Sequence, residues 1–393
     1  MKKIDFDCVA LTQALVQCPS VTPKDEGALQ IIENHLTDIG FKCSRLPFSE
    51  EGYEDVDNLF STIGKTGKHL AFAGHTDVVP VGNKDSWKYP PFSATIIDGI
   101  LYGRGSEDMK GNIACFISAT NTFIKKYSPD FGGQLSFLIT GDEEKEAVNG
   151  TVKMMAWTKK NDIIFNHCIV GEPTSNKMIG DKIKIGRRGS INFFITVKGI
   201  QGHTANSHLA ENPTHHLINM LQNIIAKPLD DGNDNFLPSS IQIPTFDIGN
   251  PAANVIPEVA KATINIRFNN IHSGESLTKW LQGHIDKTFC NVSKATCTFT
   301  TDHTGESFLT KPVELINLVS NAIKEVTGKN SNPELSTDGG TSDARFIKDY
   351  CEVLELGITN KTLHQINECV SLSDLKDLHD IYLRILEKYF NKN

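Results

Sequence analysis

Leu70-Ala71-Phe72-Ala73 is an uninterrupted apolar run that opens directly into the polar stretch GHTDVVP at 74–80. Consecutive apolar residues read as a buried strand, and a buried strand needs neighbouring layers to cover it. Short apolar runs of the same kind recur at about 57–63, 134–140, 167–170 and 351–357. Helical stretches lie between them. Residues 25–40 place Leu29, Ile32, Leu36 and Ile39 on one face and stop at Gly40, a helix-ending residue. Residues 109–127 turn Ile113, Phe116, Ile117, Thr120 and Ile124 inward. Strands alternating with helices predict an α/β domain on a mixed, mostly parallel sheet.

The middle of the chain changes character. Residues 191–199 read as a strand and 213–226 as a helix with Pro213 near its start. Strands follow near 240–248 and 259–268, then a helix at 274–289 and a strand at 294–301. That order, β-α-β-β-α-β, is the split unit of ferredoxin-like domains. It predicts a module at 189–302 inserted into an α/β domain made of 1–188 and 303–393. The α/β domain resumes with a helix at 312–327, and 227–238 reads as a polar loop.

At 393 residues the chain exceeds what one core usually supports. Apolar content of 39% and charged content of 22% fit a soluble globular protein. A formal net charge of −8 argues against nucleic-acid and anionic-membrane surfaces, which need clustered Lys and Arg. The nine cysteines are scattered singly, a pattern for a reducing cytoplasm rather than a disulfide framework. Near the N-terminus, Asp5 and Asp7 interrupt what would be the apolar core of a secretory leader after Lys2 and Lys3. No run approaches the roughly 20 apolar residues of a membrane span.

Acids and histidines collect just past the strands of the α/β domain. His75 and Asp77 follow the first run, Asp108 follows LYGRGSED and opens a helix, and Glu143-Glu144 follow the strand at 134–140. Glu172 follows HCIVG, and His364 lies beyond the strand that ends at Gly357. In an open α/β sheet the ligand crevice lies outside the carboxyl ends of the strands. Each residue has an ordinary structural explanation. Asp108 alone fits a helix N-cap, DEE a solvated turn, and His75 a hydrogen-bonded turn histidine. Five independent strand ends carrying such groups point to a metal site.

Two histidines and three carboxylates without cysteine suit Zn²⁺ or Co²⁺ better than Mg²⁺ or Ca²⁺. Three carboxylates with one bridging hydroxide balance two divalent cations. Asp108 is then the sensible bridge, with His75 and Glu172 on one ion and Glu144 and His364 on the other. Asp77 is expected to hydrogen-bond the free ring nitrogen of His75. Adjacent side chains at a strand end diverge, so one of Glu143 and Glu144 can ligate while the other serves as general base.

GHTDVVP, YGRGSEDMKG, TGDEE, VGEPT, GRRGS and LHQINECV together resemble the dinuclear zinc amidohydrolase and exopeptidase family that includes aminoacylase and acetylornithine deacetylase. The resemblance runs nearly end to end. PSVTPKDEGALQ, NVIP and STDGGTSDARF further resemble its succinyl-amide-cleaving branch. The resemblance implies two Zn²⁺ per chain, with Co²⁺ able to substitute, held by His75, Asp108, Glu144, Glu172 and His364. It implies Glu143 as acid and base. It implies a cytoplasmic homodimer whose 189–302 module is a lid and dimerisation domain, with His203 in QGHTA reaching the partner's site to stabilise the oxyanion. The implied reaction converts N-succinyl-LL-2,6-diaminopimelate and water to succinate and the free diamino acid, a step of lysine and diaminopimelate biosynthesis. Another acyl-amino-acid hydrolase or a dipeptidase of the same fold is the nearest alternative, and a catalytically silent binder is one of another class. An intact Glu143 argues against the silent binder.

A substrate with three carboxylates needs cationic and donor groups. Arg187 and Arg267 can each take a carboxylate bidentately, while Asn254, Gly340 and Thr341 offer side-chain and backbone donors. Where the family pattern has an aromatic–proline pair after GHxA, this chain has Asn206-Ser207. Two other motifs fail. IGKTGK at 63–68 lacks the glycine of a phosphate-binding loop, having Leu59 there, and YGRGSEDMKG lacks the G-x-G-x-x-G order of a dinucleotide site.

Overall fold

The computed structural model describes residues 7–292 and 294–392. Lys2, Lys3 and Asp5 of the leader argument lie outside them. Asp7 does not extend an apolar segment. It caps the helix Cys8–Val16, its side chain accepting from the N–H groups of Val9 and Ala10. The chain forms two compact units, one comprising Met1–Ile185, Thr310–Ser336 and Ser342–Asn393, the other Gly186–Leu309 with Thr337–Thr341.

The first unit is built on an eight-stranded sheet. Its spatial order is Lys42–Arg45, Leu59–Gly64, Gln134–Thr140, His69–His75, His167–Val170, Glu352–Glu355, Lys182–Lys184 and Glu334–Ser336. The strands from Gln134–Thr140 to Glu352–Glu355 run parallel. Leu59–Gly64 joins them antiparallel, as does Lys182–Lys184 on the other side. The sheet is therefore mixed but parallel where it matters, and all seven residues of His69–His75 are buried. The IGKTGK stretch is a turn, but the strands it connects are not partners, because Gln134–Thr140 lies between them. Gly64 is required there for a local reason. It has φ +88°, and a Cβ would lie 2.0 Å from the Gly133 carbonyl oxygen.

Helices cover the sheet. Ala28–Ile39 buries Leu29, Ile32, Leu36 and Ile39 and ends at Gly40 in the left-handed conformation. Lys110–Tyr127 is buried on nearly every side, because it packs on the helices Cys8–Val16 and Leu372–Tyr389 as well as towards the His69–His75 strand. Phe72 of that strand stacks on Phe116 at 4.2 Å, and Tyr382 closes the cluster edge-on at 5.0 Å from Phe116. Each such side chain taken from water stabilises the unit by about 1.5–3 kcal/mol. This packing fixes the strand end that carries His75 and the start of the helix that Asp108 precedes.

The second unit has a four-stranded antiparallel sheet in the order Ser240–Asp247, Val259–Phe268, Gly189–Lys198 and Thr296–Gly305. With helices Pro213–Ile225 and Gly274–Phe289 it has the β-α-β-β-α-β order. The period-2 pattern explains its two faces. Ile191, Phe193, Ile195 and Val197 pack with Leu217, Met220, Leu277 and Leu281, while Asn192 points the other way and bonds Asp302 and Asn265. None of the described helices is long and apolar enough to cross a membrane.

Candidate metal centre

The parallel strands all end on one side, and the groups at those ends converge. His75 closes its strand, 1% exposed. Its Nε2 lies 3.1 Å from Oδ1 of Asp108 and 3.9 Å from carboxylate oxygens of both Glu143 and Glu172. The other oxygen of Asp108 lies 3.1 Å from Nε2 of His364, which is also 3.1 Å from Oε1 of Glu144. Asp108 thus turns one oxygen to each histidine. It is not a helix cap, since the helix Lys110–Tyr127 starts at Met109 without a side-chain capping bond.

Two ligand groups overlap at His75. His75, Asp108 and Glu144 form one, and His75, Glu143 and Glu172 the other, with donor atoms in each within 4.8 Å of one another. Imidazole nitrogens and carboxylate oxygens without thiolate are the donors zinc and cobalt accept. The groups are also electrostatically poised for cations. Burial, reinforced by the charges of Glu172, Asp343 and Glu144, pushes Glu143 well above the usual carboxylate range. Burial likewise raises Glu144, against its hydrogen bond from His364. Burial opposes the charge on His75, but the hydrogen bond to Asp108 and the surrounding carboxylates outweigh it and raise its pKa well above normal. Hydrogen bonds to Asp108 and Glu144 raise His364 to about 10. Bonds to both histidines hold Asp108 low despite its burial. A cluster in which buried acids repel one another and draw protons onto two imidazoles fits divalent cations.

Asp77 departs from expectation. Nδ1 of His75 meets the main-chain carbonyl of Asp77 at 2.8 Å, not its carboxylate, which stands 3.7 Å away. The fully buried carboxylate instead accepts from the N–H groups of Glu143 at 3.2 Å and Glu144 at 3.1 Å. The reason is local geometry. The carbonyl of Asp77, two residues on, meets the ring, and its side chain is left to accept from the 143–144 main chain.

The profile described as peptidase family M20/M25/M40 matches residues 71–388, which include every one of these groups. The chain belongs to that family. It is 49% identical over 385 residues to the succinyl-diaminopimelate desuccinylase of Parvibaculum lavamentivorans, covering 98% of this chain and 96% of that protein. It is 47% identical to the like-named protein of Rhodospirillum rubrum, covering 98% of both. Among solved structures, the family fold recurs in the aminopeptidase PepT of Bacillus cereus, with TM-score 0.78 and 18% identity over 97% of both chains. It recurs also in a metallo-carboxypeptidase of Sulfolobus solfataricus, with TM-score 0.76 and 17% identity over 99% of this chain and 100% of that one.

The remaining expected site residues, His203, Arg187, Asn254, Arg267, Gly340 and Thr341, all belong to the second unit. Arg187 is buried, and its Nη1 donates to the Gly340 carbonyl at 2.5 Å. Arg267 is half-buried, and burial with the nearby charge of Arg188 lowers its pKa. Arg188, also within GRRGS, has no spacing that distinguishes it from Arg187 in the sequence. Asn254 is exposed, and its carbonyl accepts from the N–H of Thr204. His203 is exposed, its Nδ1 accepting from the N–H of Ala205 at 3.1 Å. Asn206 breaks the short helical turn after it, with φ −116° and ψ 40°.

Proposed function

We propose that this chain is a metal-dependent amidohydrolase that cleaves N-succinyl-LL-2,6-diaminopimelate to succinate and LL-2,6-diaminopimelate. The observation that carries the reaction class is Asp108, which offers one oxygen towards His75 and the other towards His364, the arrangement a carboxylate needs to bridge two ions. The substrate rests on the near-full-length identity to proteins named desuccinylases.

In this reading His75 and Glu172 would hold one Zn²⁺ and Glu144 and His364 the other, Asp108 would serve both, and Co²⁺ would substitute. The ions would supply Lewis acidity to the amide carbonyl and to the attacking water. Glu143 takes the proton of that water at its carboxylate and returns it to the leaving amine. Burial raises the pKa of Glu143, the direction that lets one carboxyl group both accept and return a proton. Arg187 and Arg267 bind substrate carboxylates, and Asn254, Gly340 and Thr341 add donors. The second unit acts as lid and dimerisation domain in a cytoplasmic homodimer, and His203 donates to the oxyanion of the partner's site.

Turnover assays with succinylated diaminopimelate, acetylated amino acids and dipeptides test the reading, alongside elemental analysis. Preference for the succinyl substrate with up to two zinc or cobalt ions per chain supports it. Preference for an acetylated amino acid or a dipeptide would shift the assignment to another member of the fold. No turnover, or turnover indifferent to chelators and no transition metal, would overturn it.

A further inference from the structure

Beneath the metal centre lies a buried ion pair that the reaction described above does not use. Glu368 is fully buried. Its Oε1 accepts three main-chain N–H groups, from Gly105 at 2.9 Å, Glu107 at 2.9 Å and Asp108 at 3.2 Å. Its Oε2 lies 2.6 Å from Nη1 of Arg104. The same guanidinium donates to the carbonyl oxygens of Gln365 at 3.2 Å and His364 at 3.4 Å, and reaches that of Pro80 at 3.4 Å. The carbonyl of Glu368 in turn accepts from the N–H of Gly103 at 2.9 Å.

We infer that Glu368, acting through Arg104 and the 105–108 main chain, is the positioning residue that fixes Asp108 and His364 relative to one another. The inference rests on the proposed reading that these two residues hold metal. Asp108 sits on a loop without regular secondary structure, and His364 on another, so neither strand nor helix geometry dictates their separation. His364 has φ +58° and Asn367 φ +65°, conformations that side chains other than glycine adopt only when their surroundings enforce them. Three N–H donors converging on one anionic oxygen define where the first loop ends, and a planar guanidinium on two carbonyls, those of His364 and Gln365, defines the second. Glu107 adds a parallel tie, its carboxylate accepting from both the N–H and the hydroxyl of Thr362 at 2.8 Å. A buried ion pair is a weak way to gain stability, since well-packed apolar side chains of equal volume serve as well or better. It is a strong way to impose one geometry, and a metal centre needs its ligands held to within about 0.5 Å.

The test uses Glu368→Asp and Arg104→Lys in the full-length protein. The first keeps the charge but withdraws it from the loop N–H groups, and the second keeps the charge but loses the fork. Metal-free and metal-loaded forms are compared by competitive Zn²⁺ titration, by the visible absorption of the Co²⁺ form and by thermal unfolding. The expected result is binding of at least one ion weakened by about tenfold to a hundredfold, a changed Co²⁺ spectrum, and kcat lowered more than KM is raised. A residue that only supports folding would lower the unfolding temperature of the metal-free protein and leave affinity and spectrum of the folded protein unchanged. That result in whichever variant folds overturns the inference, as does failure of both to fold. If the unsubstituted protein binds no Zn²⁺ or Co²⁺, the metal reading itself falls, and the two failures are told apart.

Discussion

The main-chain carbonyl of Asp77 lies 2.8 Å from Nδ1 of His75, while the Asp77 carboxylate lies nearer the N–H groups of Glu143 and Glu144. The carbonyl can only accept, so it fixes a proton on Nδ1 and sets the ring with Nε2 towards Asp108. Orientation of the ring and support of the base-bearing turn are therefore divided between two parts of one residue.

That division predicts the behaviour of Asp77→Asn. The carbonyl remains, so metal content should equal that of the unsubstituted protein. The anionic acceptor for the 143–144 turn is lost, and kcat should fall by about 10–100-fold. Loss of metal in parallel with activity would show that the carboxylate, not the carbonyl, governs His75.

Glu143 and Glu144 should separate cleanly. Glu144 is 3.1 Å from His364, and Glu144→Ala should release one ion. Glu143 stands 3.9 Å from His75, and Glu143→Ala should keep both ions while losing roughly 10²–10⁴-fold in turnover. Because Glu143 also falls in a ligand group with His75 and Glu172, equal metal loss from both variants would make it a ligand.

Arg187→Ala and Arg267→Ala should each raise KM for the succinylated substrate by the equivalent of roughly 1.5–3 kcal/mol. Arg187 also holds the Gly340 carbonyl, so its removal should disturb kcat as well, whereas Arg267→Ala should act mainly on KM. Unchanged kinetics in either would leave that arginine with a structural role.

What the sequence made legible follows from where the information sits. His75, Glu144 and Glu172 follow strands of the parallel sheet, which must bring such ends together, so their convergence could be read without coordinates. Asp108 instead follows Ile100–Tyr102 of a separate antiparallel sheet and His364 lies on a loop, so the sheet alone does not place those two. The helix Leu372–Tyr389 obeys the same i, i+3, i+4 rule through Leu375, Leu378, Ile381, Tyr382 and Ile385, and that criterion would have found it. Arg104 and Glu368 are different. They pair with each other across 264 residues, and their other partners are main-chain groups, which leave no residue pattern. The antiparallel placement of Leu59–Gly64 is equally silent, because burial on both faces looks the same in either direction.

At the opposite end of the sheet, His69 gives a pH signature independent of the metal centre. Burial lowers its pKa to about 4, against a hydrogen bond to the Ile164 carbonyl that favours the charged form. The unfolded chain binds a proton at about 6.5, so between those values it holds more protons than the folded chain. Stability linked to His69 is therefore complete above pH 6.5 and falls as the pH drops towards 4. Urea unfolding of His69→Gln beside the unsubstituted protein should reveal it. The unsubstituted protein should lose roughly 2–3 kcal/mol more than the variant between pH 7.5 and 4.5. Parallel curves would place the histidine proton elsewhere.

His203 decides whether the second unit takes part in chemistry. Its Nδ1 accepts from the N–H of Ala205, so the proton of the neutral ring must sit on Nε2. That leaves an exposed N–H donor held in one tautomer, the property an oxyanion donor requires. As a mere turn residue, His203→Ala should change stability by no more than about 0.5 kcal/mol and leave turnover intact. As a donor to the neighbouring subunit's site, it should lower kcat by about 10²–10³ without loss of metal. Mixing decides between action within a chain and action across the proposed dimer. His203→Ala and Glu143→Ala chains, each nearly inactive alone, should regain activity when their subunits exchange, because one site of the heterodimer then combines an intact Glu143 with the partner's intact histidine. Exchanged mixtures that stay inactive would confine His203 to its own chain.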